Sequence, residues 1–68
     1  MASILTAKEQ TGINLLELRL ANIKDALAEI ANTIEDRLDD PDNQQLIQLF
    51  GVLADVENAH ARLYELST

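Results

Sequence analysis

One pair of side chains in this sequence has the spacing of a metal-binding motif. Glu57 and His60 lie three residues apart, and Glu-x-x-His on a helix supplies ligands in di-iron carboxylate bundles. Such a site also needs an inward-facing Glu at the same height on a neighbouring helix. If the chain folds about residue 40, Leu20 and Ile23 lie opposite this pair, and neither side chain can bind a metal. We therefore predict no metal site and interpret His60 as a residue of a helix surface or seam.

Acidic residues cluster near the middle of the chain, which raises the question of calcium binding. The carboxylates are Glu35, Asp36, Asp39, Asp40 and Asp42. An EF-hand alignment that begins at Asp36 places Pro41 where the loop requires Gly, and Ile47 where it requires a bidentate Glu. The alignment therefore fails, and a solvated turn with capping Asp residues explains the cluster.

Residue types needed for other chemistry are scarce. The single histidine has no base or orienting partner in view, and Gly12 and Gly51 do not form a phosphate-binding loop. The chain has no cysteine, so it forms neither a disulfide nor a cysteine-ligated zinc site. We predict that the protein is not an enzyme and needs no cofactor.

The charge of the chain argues against two kinds of partner. Twelve carboxylates outnumber five Lys and Arg residues, which leaves a formal net charge of -7. Nucleic-acid-binding surfaces need clustered cations, and interfacial membrane helices carry Lys and Arg on their polar face. No apolar run approaches the roughly 18 residues of a membrane span, and residues 1–5 lack the basic start of a signal peptide. We expect a soluble intracellular protein that binds neither nucleic acid nor membranes.

Two apolar ladders with steps of three and four residues organise the chain. Each ladder forms one stripe along an α-helix, because such steps average about 3.5 residues. The first ladder is Ile13, Leu16, Leu20, Ile23, Leu27, Ile30 and Ile34, and the second is Leu49, Val52, Val56, Ala59, Leu63 and Leu66. We predict an all-α fold, an antiparallel two-helix hairpin that forms a single domain over residues 1–68. The helices are expected at about 13–38 and 41–66, with a turn at 39–41.

Local signals place the helix ends. Thr6 and Glu9 have the spacing of a capping box and could open a short additional helix, which Gly12 would interrupt or bend. Pro41 disfavours helical geometry at Asp40 and suits the first position of a helix. Asp40 is therefore the expected N-cap of the second helix.

The second helix is apolar along more than one seam. An overlapping stripe contains Leu46, Leu49, Leu53, Val56 and Leu63, with Phe50 beside it. One neighbouring helix covers only one seam, and a two-helix core rarely supplies more than a few kcal/mol. The second seam therefore predicts a further contact, either a homodimer of the isolated chain or a complex with a different protein.

The order of these elements gives the sequence a resemblance to a known family. A capped opening at residues 5–9 is followed by a long amphipathic helix and by the turn Asp-Pro-Asp-Asn-Gln-Gln at 40–45. A Leu-rich second helix then contains Ala-Asp-Val-Glu-Asn-Ala at 54–59. This pattern covers most of the chain and resembles the small helical-hairpin co-chaperones of the bacterial type III secretion needle subunit. The resemblance implies a protein that binds a larger helical-repeat chaperone and, with it, keeps the needle subunit soluble and unpolymerised in the bacterial cytoplasm.

Carried over to this sequence, the resemblance makes the second ladder the partner-binding face. Its residues are Leu49, Val52, Val56, Ala59, Leu63 and Leu66. A needle-type subunit is an alternative interpretation, since it is also a helical hairpin with a similar turn. Those subunits usually continue further beyond the second helix and have a second proline in the turn, where this chain has Gln44. A self-assembling hairpin that acts as a structural or adaptor protein is a third interpretation.

Overall fold

Two antiparallel α-helices make up the computed structural model, which describes residues 4–67. Helix α1 spans Ala7–Leu38 and helix α2 spans Gln44–Leu66. The described residues contain no strand, and the hairpin measures 50 × 17 × 13 Å. The predicted all-α helical hairpin is confirmed. Residues 1–3 and residue 68 of the predicted domain lie outside the described residues.

Helix α1 begins six residues earlier than the expected position 13. The Thr6 hydroxyl accepts a hydrogen bond from the Glu9 N–H at 3.1 Å, and the Glu9 carboxylate accepts one from the Thr6 N–H at 2.9 Å. This is the predicted capping box, but it opens α1 itself and not a separate short helix. Gly12 does not interrupt α1, because a helical Gly costs only about 1 kcal/mol and strong helix formers follow it.

A tight turn joins the two helices. Asp39 ends α1 in the left-handed conformation, with a φ of 50°, and its N–H donates to the Glu35 carbonyl at 3.2 Å. Asp is one of the few residues other than Gly that adopt this conformation readily. Pro41 then follows Asp40 in a turn that is closed by the Asn43 N–H, which donates to the Asp40 carbonyl at 3.2 Å.

Asn43, and not the predicted Asp40, is the N-cap of α2. The Asn43 side-chain oxygen accepts hydrogen bonds from the N–H groups two and three residues further on, at 3.0 and 3.1 Å. The Asp40 carboxylate instead accepts a hydrogen bond from the Asp42 N–H inside the turn. Pro41 therefore serves as the second residue of a turn, a position that suits its fixed φ equally well, and α2 starts three residues later than expected.

The core of the hairpin is a single narrow seam. Ala31, Leu46 and Leu53 are the buried apolar residues among those described, with 0, 3 and 8% of their surface exposed. Because Ala31 carries only a Cβ, α2 can approach α1 closely at this point. Half-buried apolar residues continue the seam in both directions, and we call the whole set the inner rows. The inner rows contain Ile13, Leu20, Leu27, Ala31 and Ile34 of α1, and Leu46, Leu49, Phe50, Leu53, Val56 and Leu63 of α2.

Polar contacts connect the helices at the end far from the turn. His60 Nε2 lies 2.9 Å from Glu17 Oε1, and the two side chains keep only 17 and 13% of their surface exposed. Nearer the termini, the Gln10 amide donates to the Leu66 carbonyl at 2.7 Å and to Asn14 Oδ1 at 3.0 Å. The contacts of Glu17 with His60 and of Gln10 with Leu66 join α1 to α2 where the apolar seam is least buried, whereas the contact with Asn14 lies within α1.

Candidate functional site

A second set of apolar side chains faces away from the seam. These are Leu16, Ile23 and Ile30 of α1 and Val52, Ala59 and Leu66 of α2, which recur every seventh residue on each helix and which we call the outer face. The five larger side chains keep between 46 and 55% of their surface exposed, against at most 8% for the buried residues of the core. Aligned rows of exposed Leu, Ile and Val mark surfaces that contact other molecules.

The outer face exists because each apolar ladder contains two rows. Leu20 and Ile23 are consecutive members of the first ladder, but Leu20 is half-buried in the seam whereas Ile23 is 54% exposed. Three residues turn a helix through about 300°, so the two rows lie about 60° apart around α1. A single antiparallel helix covers one row and leaves the other on its flank.

The outer rows of the two helices open on the same side of the hairpin. Ile30 and Arg37 of α1 line one shallow concavity, and Arg37 also lines the next one, together with Leu49 of α2. Leu49 in turn lines a third concavity with Val52. Because neighbouring concavities share residues, a continuous surface leads from Ile30 on α1 to Val52 on α2.

The predicted partner-binding residues fall on both rows of α2. Val52, Ala59 and Leu66 are exposed on the outer face, where a partner can reach them. The other three, Leu49, Val56 and Leu63, are half-buried because they also pack toward α1. Partner binding by these six residues stays a prediction, and three of them already contribute to the fold of the hairpin itself.

The α1 half of the outer face was missed by sequence reasoning, which placed the partner-binding face on the second ladder alone. Leu16, Ile23 and Ile30 carry a signal that could have found it, since they recur every seventh residue as one row of the ladder. The corresponding row of the second ladder was included in the predicted face. The surface that the structure presents is therefore wider than the predicted one and spans both helices.

His60 has a partner that the expected register did not provide. Folding the chain about residue 40 places Leu20 opposite His60, whereas the helices are offset by about one turn from that register and Glu17 lies there instead. An ionised carboxylate only accepts hydrogen bonds, so Nε2 of the imidazole is the nitrogen that carries the proton in this contact. Sequence reasoning placed His60 on a helix surface or in a seam but missed Glu17, because which residue lies opposite His60 depends on the register between the helices.

The described residues do not assemble a metal-binding arrangement around this pair. Glu57, the other member of the Glu-x-x-His spacing, is exposed on α2. No group of three or more His, Cys, Asp or Glu side chains that could hold a metal ion occurs among residues 4–67. The Tyr64 ring lies 6.3 Å from the His60 ring, centroid to centroid, and is tilted by 45° to it. The Glu17–His60 contact is therefore best described as a polar link between the helices.

Comparison of the chain with protein-family models, with curated proteins and with solved structures finds no match. Neither helix of the described residues is long and apolar enough to span a membrane. The functional assignment therefore depends on the outer face and on the sequence pattern.

Proposed function

We propose that this protein is a non-enzymatic co-chaperone of the bacterial cytoplasm. In this proposal it binds a larger helical-repeat chaperone and, with it, keeps a type III secretion needle subunit soluble and unpolymerised. The resemblance of the sequence suggests the kind of partner, and the outer face is the observation that carries the proposal. Its two apolar rows lie on one side of the hairpin, and only a further contact can cover them.

A helix is the partner element that suits this surface. Two antiparallel helices with apolar rows on one side form a groove, and an amphipathic helix can lay its own apolar stripe into such a groove. The hairpin and the added helix would then form a small bundle. The seven-residue recurrence of Leu16, Ile23 and Ile30 supports this geometry, because the same period allows side chains of packed helices to interdigitate.

The small core of the hairpin gives binding a second consequence. Only three residues among those described are buried, so the isolated hairpin has little stability of its own. A partner that binds only the folded hairpin stabilises it by mass action. Binding and folding are therefore coupled, as is suitable for a protein that works only inside a complex.

Purification of the tagged protein from its native cells tests the proposal. We expect a helical-repeat protein and a needle-type subunit in one complex, identified by mass spectrometry and by the stoichiometry of the purified complex. Deletion of the protein should move the needle-type subunit from the soluble fraction to an aggregated or polymerised one. Val52→Asp places a charge at the turn end of the outer face and should release both partners while the helices remain folded, since Val52 is 46% exposed.

Asn58→Asp is the matched control for this experiment. It adds the same charge at an exposed position of α2 that lies outside the outer face, and it should leave the complex intact. Recovery of the chain only with further copies of itself would contradict the co-chaperone proposal and favour the self-assembling hairpin. A needle-type subunit that stays soluble without this protein would also contradict it.

A further inference from the structure

All three arginines of the chain lie beside the rows of the outer face or in line with them. We call these flanking positions the border of the outer face. Arg19 lies three residues after Leu16 and four before Ile23, so it flanks the α1 row. Arg62 has the same relation to Ala59 and Leu66 on α2. The third, Arg37, occurs seven residues after Ile30 and thus continues the α1 row toward the turn.

These arginines have no ion-pairing partner within the described hairpin. The sequence carries twelve carboxylates, yet within residues 4–67 none of them lies within ion-pairing distance of an arginine, and the one contact of that length joins Glu17 to His60. Arg19, Arg37 and Arg62 are all exposed. An exposed guanidinium beside an apolar row offers a planar set of donors that can bind a carboxylate through two parallel hydrogen bonds.

Carboxylates are few along the same border. Asp55 lies between Val52 and Ala59, and Glu29 lines the α1 concavity that contains Arg37. Glu9 precedes Leu16 by seven residues, but its carboxylate accepts the Thr6 N–H and closes the capping box. The remaining nine carboxylates lie elsewhere, so this side of the hairpin is much less acidic than the net charge of -7 suggests.

We propose that the outer face binds an amphipathic helix whose apolar stripe is flanked by carboxylates. The apolar stripe of that helix fills the groove between the outer rows, and its flanking Glu or Asp side chains pair with Arg19, Arg37 and Arg62. A second copy of the chain fits less well, because it would bring the same three arginines to the contact and only Asp55 and Glu29 to meet them. This inference rests on the proposed function and specifies the chemistry of the partner's helix.

Two designed helical peptides test the inference on the intact protein. Both are held helical by the same side-chain staple and carry the same leucine stripe, and they differ only in having Glu or Lys at the flanking positions. The net charge of the protein alone favours the Lys peptide, whereas the arginine border favours the Glu peptide. We expect the Glu peptide to bind at least about tenfold more tightly in calorimetry at low salt, and the preference to shrink at high salt.

Two double variants with equal net charge make the test specific. R19Q/R37Q removes two arginines from the border and should abolish the preference for the Glu peptide. N32D/N58D changes the net charge by the same amount at exposed positions away from the outer face, and it should retain the preference.

Each other outcome overturns the inference. Equal binding of both peptides, or tighter binding of the Lys peptide, rejects the acidic helix but leaves helix docking and the proposed function in place. Absence of binding by either peptide rejects both proposals. If sedimentation then shows a dimer that Ile23→Asp dissociates, a second copy is the occupant of the outer face.

Discussion

The inner rows and the outer face have almost the same composition but opposite surroundings. Both consist of Leu, Ile, Val and Ala on the same two helices, apart from Phe50 in the inner rows, and on α1 they alternate within a single ladder. Leu27 of the inner rows is half-buried against α2, whereas Ile30, three residues later, is 53% exposed. A hairpin that needed only to fold would gain solubility from polar residues in the outer row. Apolar composition therefore shows where helices can pack, and burial shows which of those contacts the chain makes by itself.

The largest effect is expected from a charge placed in the inner rows. Leu53 is 8% exposed, so Leu53→Asp buries a carboxylate without a partner, which costs several kcal/mol. That cost exceeds what a two-helix core supplies, and far-ultraviolet circular dichroism should show loss of the folded hairpin. Ala54→Asp, at the exposed neighbouring position, should keep its helix content. A folded Leu53→Asp variant would show that the seam contributes little to stability.

Consecutive members of the first ladder offer the most direct comparison of the two rows. Ile23→Asp changes an exposed residue and should leave the melting temperature nearly unchanged while it weakens partner binding at least about tenfold, or ~1.4 kcal/mol. Leu20→Asp changes a half-buried residue and should lower the melting temperature of the isolated chain. If the two variants behaved alike in both thermal melts and binding assays, the division into inner rows and outer face would be wrong.

A smaller effect is expected where the seam becomes polar. Glu17→Ala removes the carboxylate that His60 contacts and leaves the imidazole N–H without its acceptor, so we expect a loss of about 1 kcal/mol in the free energy of unfolding. Urea denaturation measures this change. Glu57→Ala removes an exposed carboxylate one turn away and serves as the control, with little change expected. An unchanged Glu17→Ala variant would mean that water replaces the contact without loss.

The smallest effect, a gain in the free energy of unfolding, is expected at two helical glycines that belong neither to the inner rows nor to the outer face. A Cβ added at Gly12 meets no atom within 4 Å, so Gly12→Ala should raise the free energy of unfolding by about 0.5–1 kcal/mol. Gly51→Ala has the same free space and should act similarly. The gain would come from helix formation alone. A decrease in the urea midpoint of both variants would show that flexibility at these positions favours the folded state.

The helices and the first cap could be predicted from the sequence because their signals are local. The capping box needs only Thr6 and Glu9, and amphipathic periodicity needs only neighbouring turns of one helix. The second cap was ambiguous, since Asp40 and Asn43 are both good N-cap residues and Pro41 is compatible with either choice. In the structure the Asn43 N–H closes the turn on the Asp40 carbonyl, and Asn43 is therefore the residue that caps α2.

Two features could not be derived from the local sequence pattern. These are the register between α1 and α2 and the choice of which apolar row of α1 is buried. The Glu17–His60 contact joins residues far apart in sequence, and an error of one helical turn replaces Glu17 by Leu20. The same applies to the ladders, because both rows of α1 fit the apolar period equally well. Only the angle at which α2 approaches α1 determines that Leu20 turns inward and Ile23 stays exposed.

The hairpin is only 13 Å thick in its smallest dimension, close to the roughly 10–12 Å diameter of a single helix. Among residues 4–67 each helix has only the other helix to pack against, so neither keeps its packing once the two separate. The chain should unfold as one unit and do so often, and each opening exposes it to cellular proteases. If the proposed partner binds only the folded hairpin, the abundance of the chain in the cell should follow the abundance of that partner.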